Sequence, residues 1–203
     1  MTDLIVFLAA YVIGATPFGY FAGKLKGIDI REHGSGNIGA TNVLRTLGKG
    51  VGIPVFILDV LKGAVPVLLA QMLFSESDIT AVLAALGTIL GHTFTFWLGF
   101  KGGKGVATSG GAILALVPLA LLGGLVAWLA VFYSTRYVAL ASIVAAVAIP
   151  VVVAIQTLIW KSAGYPLLVF SIVVGALVVW RHRSNITRLM DGTEHKFTRR
   201  KKD

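Results

Sequence analysis

The amino-acid sequence predicts an all-α integral membrane protein, and three observations predict it. The 203 residues are 56% hydrophobic and only 13% charged, with a mean hydropathy of +0.85; a soluble domain carries about a quarter charged residues. The apolar residues fall into runs long enough to cross a bilayer, for which a helix needs roughly 20 residues. The basic residues collect in alternate gaps between those runs, as they do where loops face the cytoplasm. The length suits one domain over 1–203, and the 24 glycines suit helices that approach closely in lipid.

Residues 4–23 are the first run, free of charge. The preceding Met1-Thr2-Asp3 lacks the positive flank of a signal peptide, so this run reads as a retained helix. The second run, 51–74, contains Asp59 and Lys62 on one helix face. Isolated charges in a span are costly, so these two are expected to form a structural pair. The third, 79–100, has only His92 among ionisable groups and predicts a hydrogen-bonded packing residue there. Runs 137–160 and 162–180 carry no charge. The uncharged stretch 105–135 is too long for one span and short of the about 40 residues that two full spans need. Pro118 near its middle marks a turn between two short, tilted helices.

Charge parity decides the count. If 105–135 crosses twice, the chain has seven spans with its N-terminus outside and its C-terminus in the cytoplasm. Lys24, Lys26, Arg31, Arg45, Lys49, Lys101, Lys104, Arg136 and the basic tail then share the cytoplasmic face, and the other face holds Lys161 with Asp3, Glu76 and Asp78. A single crossing would move Arg136 and the whole tail to the wrong side. The net charge of +9 is thus read as loop topology and not as nucleic-acid binding. The tail, 196–203, ends Arg199-Arg200-Lys201-Lys202 before Asp203, and is expected to sit on anionic lipid headgroups.

This topology gathers four polar segments at the cytoplasmic face. The first is Gly34-Ser35-Gly36-Asn37-Ile38-Gly39-Ala40-Thr41-Asn42-Val43-Leu44-Arg45, a run of glycines, hydroxyls and carboxamides with no acidic residue. Glycine amides turned toward an anion, with Ser, Asn, Thr and Arg as further donors, predict a phosphate pocket. The G-x-G-x-x-G at Gly34, Gly36 and Gly39 lacks the strand and βαβ unit of a dinucleotide site, and Ala40 stands where a P-loop needs lysine. The second segment, Lys101-Gly102-Gly103-Lys104-Gly105, pairs mobile amides with fixed positive charge. The third runs from Ser134 to Ser142, which lies in the first turns of the sixth span and is placed at the pocket floor. The last is Arg181-His182-Arg183-Ser184-Asn185, followed by Glu194, expected to tether the tail through an ion pair.

No cysteine is present, which excludes disulfides, thiolate metal sites and thioester chemistry on the protein. His33, His92, His182 and His195 have no metal-binding spacing, so no metal and no cofactor are expected.

Residues 35–45, Gly-Gly-Lys-Gly-Val-Ala-Thr at 102–108 and His-Arg-Ser-Asn-Ile at 182–186 resemble the three cytoplasmic motifs of the bacterial acyl-phosphate:glycerol-3-phosphate acyltransferases. The resemblance extends over essentially the whole chain. It implies acyl transfer from acyl phosphate to the 1-hydroxyl of sn-glycerol 3-phosphate, giving lysophosphatidic acid and phosphate, in the bacterial cytoplasmic (inner) membrane. Neither acyl-CoA nor acyl carrier protein would be the direct donor. By motif position it assigns Ser35, Arg45, Lys104, His182 and Asn185 to glycerol 3-phosphate. Gly36, Asn37, Thr41, Gly102, Gly103 and Gly105 would cradle the donor's phosphoryl group, with Asn42 and Ser142 as further substrate ligands. It favours direct attack with the donor phosphate taking the proton, and His182 as general base is the competing scheme. A transporter for a phosphorylated metabolite would need polar residues continuing to the far face, and the spans offer few.

Overall fold

The structure, a computed structural model, describes residues 1–74 and 78–197. Glu76 and the four basic residues 199–202, used in the charge-parity and headgroup arguments, lie outside the described residues. The described residues are helical with no strand, and they divide into two compact units, Met1–Leu116 and Val117–Asp203.

The first unit contains α1 (Thr2–Gly14), α2 (Phe18–Leu25), a short 3-10 turn (Ile30–Glu32), α3 (Ala40–Leu47), α4 (Lys49–Leu73), α5 (Asp78–Thr93), a second 3-10 turn (Phe96–Leu98) and α6 (Val106–Leu116). The first apolar run is thus two helices broken at Ala15-Thr16-Pro17, because Pro17 has no N–H to continue the ladder. In an apolar surround the carbonyls freed by such a break need partners. Thr95 Oγ1 donates to the Ala15 carbonyl at 2.5 Å and Lys62 Nζ to the Thr16 carbonyl at 2.8 Å. Tyr11 adds a hydroxyl bond to the Phe94 carbonyl at 2.6 Å, tying α1 to the end of α5.

Small residues bring these helices together. A Cβ on Gly14 would overlap the Thr88 backbone, and one on Gly91 the Tyr11 carbonyl, so α1 and α5 touch main chain to main chain. Gly63 and Gly111 do the same for α4 and α6, against the carbonyls of Thr108 and Val60. Asp59 and Lys62 pair inside α4 at 2.7 Å, both buried.

The second unit contains α7 (Pro118–Thr135), α8 (Val138–Leu158), α9 (Tyr165–Arg181) and α10 (Arg183–Met190). The chain leaves α6 at Leu116 and starts α7 at Pro118, so the predicted break within 105–135 is present. Gly175 of α9 lies against the Ala146 carbonyl of α8. α9 and α10 meet at His182 with a bend of 54°. Among the described residues, five helical segments are long and apolar enough to cross a membrane, or six if the bent α9–α10 pair is one span. The 11-residue α6 is shorter, about 16 Å at 1.5 Å per residue.

Candidate active site

The glycine-rich segment of the first unit is built on apolar anchors. Ile30 and Ile38 bury with Val43 of α3, Val55 of α4 and Leu98, so both ends of the loop are held in one cluster. Ahead of it, the Asp29 carboxylate takes both Arg31 Nε (2.9 Å) and Nη2 (2.7 Å), with Lys24 Nζ at 3.3 Å. The Arg31 guanidinium holds the Asp29 carboxyl well below the usual carboxylate range, against its own desolvation and with help from Lys24. A depressed pKa contributes stability above the ordinary value of about 4 and loses it only as pH falls further, so this turn stays locked at neutral pH.

Asn42 organises the loop from inside. It is 2% exposed; its Oδ1 accepts from the Ser35 N–H at 2.9 Å, and its Nδ2 donates to the carbonyls of Asn37 (2.8 Å), His33 (2.9 Å) and Ile30 (3.2 Å). Gly34 and Gly36 adopt φ of +61° and +67°, and a Cβ on Gly34 would overlap Asn42 Oδ1. Asn42 was expected to be a substrate ligand and the glycine amides to face an anion. Instead the amides of Ser35, Gly36 and Gly39 donate to Asn42, His33 and Asn37, because a loop this tight needs its own polar groups to close.

What remains to meet a ligand is a set of side chains. The Ser35 hydroxyl, the Asn37 amide nitrogen, the Thr41 hydroxyl and the half-buried Arg45 guanidinium make no hydrogen bond or ion pair among the described residues. Thr41 and Arg45 are one turn apart on α3, opposite the buried Val43. The first turn of α3 adds the backbone N–H groups of Ala40 and Thr41, which have no carbonyl within the helix to meet.

The second segment lies on the end of α5. After Thr93 the chain turns through Gly99 and Phe100, both at left-handed φ, and returns so that Gly102 N–H donates to the Thr93 carbonyl (3.0 Å) and Gly103 N–H to the His92 carbonyl (3.1 Å). These two amides therefore cap α5, and glycine is needed for close approach: a Cβ on Gly102 would overlap the His92 carbonyl. Lys104 is half-buried between the buried Gly103 and Gly105. Gly105, at φ +80°, accepts from Ser109 N–H at 2.7 Å and opens α6.

In the second unit, His182 is 3% exposed at the α9–α10 bend, with Nδ1 2.8 Å from the Val178 carbonyl. A carbonyl only accepts, so Nδ1 carries the proton and Nε2 is the basic nitrogen of the neutral ring. Asn185, also buried, donates Nδ2 to Glu194 Oε1 at 2.9 Å, and Arg188 Nε donates to Glu194 Oε2 at 2.8 Å. Glu194 thereby folds the segment after α10 back onto that helix. Ser142 is engaged in helix packing: its Oγ donates to the Val138 carbonyl (2.8 Å) and accepts from Trp128 Nε1 (3.3 Å). Among the described residues no group of three or more His, Cys, Asp or Glu is placed to hold a metal ion.

His92, expected only as a packing residue, is a neighbour of the second segment. Its only signal in the sequence is a lone ionisable residue in its span, just ahead of that loop.

Comparison with known proteins shows the family to which the chain belongs. The family model for glycerol-3-phosphate acyltransferase matches residues 4–192. The chain is 48% identical to the glycerol-3-phosphate acyltransferase of Desulforamulus reducens over 99% of its own length and 98% of that protein. It is 45% identical to that of Aquifex aeolicus, over 97% of this chain and all of the relative. It is also similar to a crystal structure of PlsY (YgiH), an integral membrane glycerol 3-phosphate acyltransferase, in its glycerol 3-phosphate form. The TM-score is 0.89 at 42% identity, covering 98% of this chain and 96% of that one. A second crystal structure of PlsY, in its lysophosphatidic acid form, matches with a TM-score of 0.87. The chain belongs to the glycerol-3-phosphate acyltransferase family of integral membrane enzymes.

Proposed function

We propose that this acyltransferase takes its acyl group from an acyl phosphate and passes it directly to the 1-hydroxyl of sn-glycerol 3-phosphate, releasing lysophosphatidic acid and inorganic phosphate. It does so as a seven-span protein of the bacterial cytoplasmic membrane, with its N-terminus outside, the short α6 counted as a crossing, and its site on the cytoplasmic side. The observation that carries this reading is the exposed face of the first loop. Ser35, Asn37, Thr41 and Arg45 keep hydrogen-bond donors without partners among the described residues, while the rest of the loop is bonded to itself. Neutral donors around the start of α3 and the Arg45 guanidinium one turn beyond Thr41, with no carboxylate among residues 34–45, suit phosphate oxygens.

The step needs no covalent intermediate, because an acyl phosphate is a mixed anhydride with a good leaving group. The acceptor's hydroxyl oxygen attacks the acyl carbon, and the bond from that carbon to the bridging phosphate oxygen breaks. The departing phosphate takes the hydroxyl proton. Ser35, Arg45, Lys104, His182 and Asn185 hold glycerol 3-phosphate. Asn37, Thr41 and the start of α3 hold the donor's phosphoryl group, beside the backbone of Gly36, Gly102, Gly103 and Gly105. Lys104 also stabilises charge developing on the acyl and phosphate oxygens. Neither acyl-CoA nor acyl carrier protein donates directly, and no cofactor is required.

Supplying purified protein with glycerol 3-phosphate and either palmitoyl phosphate or palmitoyl-CoA tests the donor. Lysophosphatidic acid is expected from palmitoyl phosphate alone; formation from palmitoyl-CoA at a comparable rate would reject the reading.

A further inference from the structure

Beneath the loop at 101–105 lies a buried chain of ionisable groups that the acyl-transfer step does not use. Lys62 Nζ donates to the Thr16 carbonyl at 2.8 Å and pairs with Asp59 Oδ1 at 2.7 Å. The same carboxylate oxygen is 3.8 Å from His92 Nδ1, and all three side chains are 5% exposed or less. His92 is the next-to-last residue of α5, and its carbonyl accepts the Gly103 N–H.

The imidazole also lies directly against Gly103. A Cβ on that glycine would overlap Nε2 and come within 2.8 Å of Cε1 and 3.1 Å of Cδ2. Gly103 is not among the residues at left-handed φ, so the ring, and not the backbone conformation, demands glycine here. The imidazole is confined between Asp59 on its Nδ1 edge and the loop on its Nε2 edge, so it has little room to turn aside. One turn of α4 supports both ends of the loop: Asp59 stands behind His92, and Gly63 abuts the Thr108 carbonyl in the first turn of α6.

We propose that His92, held by the Asp59–Lys62 pair, is a positioning residue for acyl transfer: its ring is the floor that sets the height of Gly103 and hence the place of Lys104. This rests on the reading of the 101–105 loop as part of the acyl-transfer site. Lys104 follows the supported glycine directly, so a shift of the floor passes straight to its ammonium group. A misplacement of about 1 Å at a reacting group costs on the order of 100-fold in rate.

The test is a double-mutant cycle on the full-length protein in detergent, with palmitoyl phosphate and glycerol 3-phosphate as substrates. Gly103→Ala is expected to lower kcat/KM by about 100-fold, with the protein still folded and its thermal midpoint lowered by a few degrees. His92→Asn keeps a polar atom near the Nδ1 position facing Asp59 and removes the ring edge that the new methyl would meet. By itself it is expected to cost about tenfold, mostly in kcat. In the His92→Asn background, Gly103→Ala should then cost less than about threefold, because the two residues couple through one contact. His92→Ala, which clears the same space, should show the same rescue if the asparagine variant folds poorly. Equal losses from Gly103→Ala in the presence and absence of the ring, or a fully active Gly103→Ala enzyme, would overturn the proposal alone. A wild-type protein inert with palmitoyl phosphate would reject the acyl-phosphate reading and this proposal with it.

Discussion

Replacing Asn42 with alanine is expected to lower kcat/KM by about 100-fold while leaving the membrane helices folded. The side chain answers the Ser35 N–H and the carbonyls of Asn37, His33 and Ile30. A buried backbone group left without its partner costs about 1–3 kcal/mol, so the loop is expected to open to water rather than keep its shape. The glycines then work against the site, since Gly34 and Gly36 hold left-handed φ only while neighbouring contacts fix them. Asn42→Asp keeps an acceptor for Ser35 but turns an oxygen toward three carbonyls, and is expected to be no better than alanine. Steady-state kinetics with each substrate varied in turn separates this from direct ligation. Loss of loop shape lowers kcat and raises both KM values, whereas a ligand role raises the KM of one substrate and spares the other.

The second large effect divides Arg45 from Lys104. Arg45→Ala is expected to raise the KM for glycerol 3-phosphate by about 100-fold, which corresponds to about 2.7 kcal/mol of lost binding. The KM for palmitoyl phosphate should stay near its wild-type value. Arg45→Lys should recover little, because the two-pronged guanidinium matches phosphate oxygens in a way an ammonium does not. Lys104→Met is expected to act on kcat instead, by about 100- to 1,000-fold, the usual cost of removing one group that stabilises developing negative charge. An Arg45→Ala enzyme with an unchanged acceptor KM would remove Arg45 from the acceptor site.

The helices were legible in the sequence because run length and proline position report on them directly. Pro118 announced the break between α6 and α7, and the charge-free runs became α8 and α9 with ends shifted by a few residues. The break at Ala15-Thr16-Pro17 was harder to see. A proline in an apolar run ends a helix only if its freed carbonyls find donors, and those donors come from distant parts of the chain, Lys62 from α4 and Thr95 from the segment after α5.

The polar segments were legible as segments, but the duties of their residues were not. Ser35, Thr41 and Arg45 could be chosen for their donors alone. Asn42 has the same chemistry as Asn37, and only the packing around Val43 decides that one amide faces inward. The glycines of the 101–105 loop looked like anion-binding amides because the alternative use, capping α5 with the backbone pressed against His92, depends on a reversal through Gly99 and Phe100. Ser142 likewise reads as a free hydroxyl until the Trp128 indole is placed beside it.

Acyl transfer is expected to proceed without an enzyme-bound acyl group. Rapid mixing of the wild-type protein with radiolabelled palmitoyl phosphate, in the presence and absence of glycerol 3-phosphate, measures it. Phosphate and lysophosphatidic acid are expected to appear together in equal amounts, only when the acceptor is present, with no label on the protein. A burst of phosphate matching the enzyme concentration without acceptor, with label retained on the chain, would contradict it.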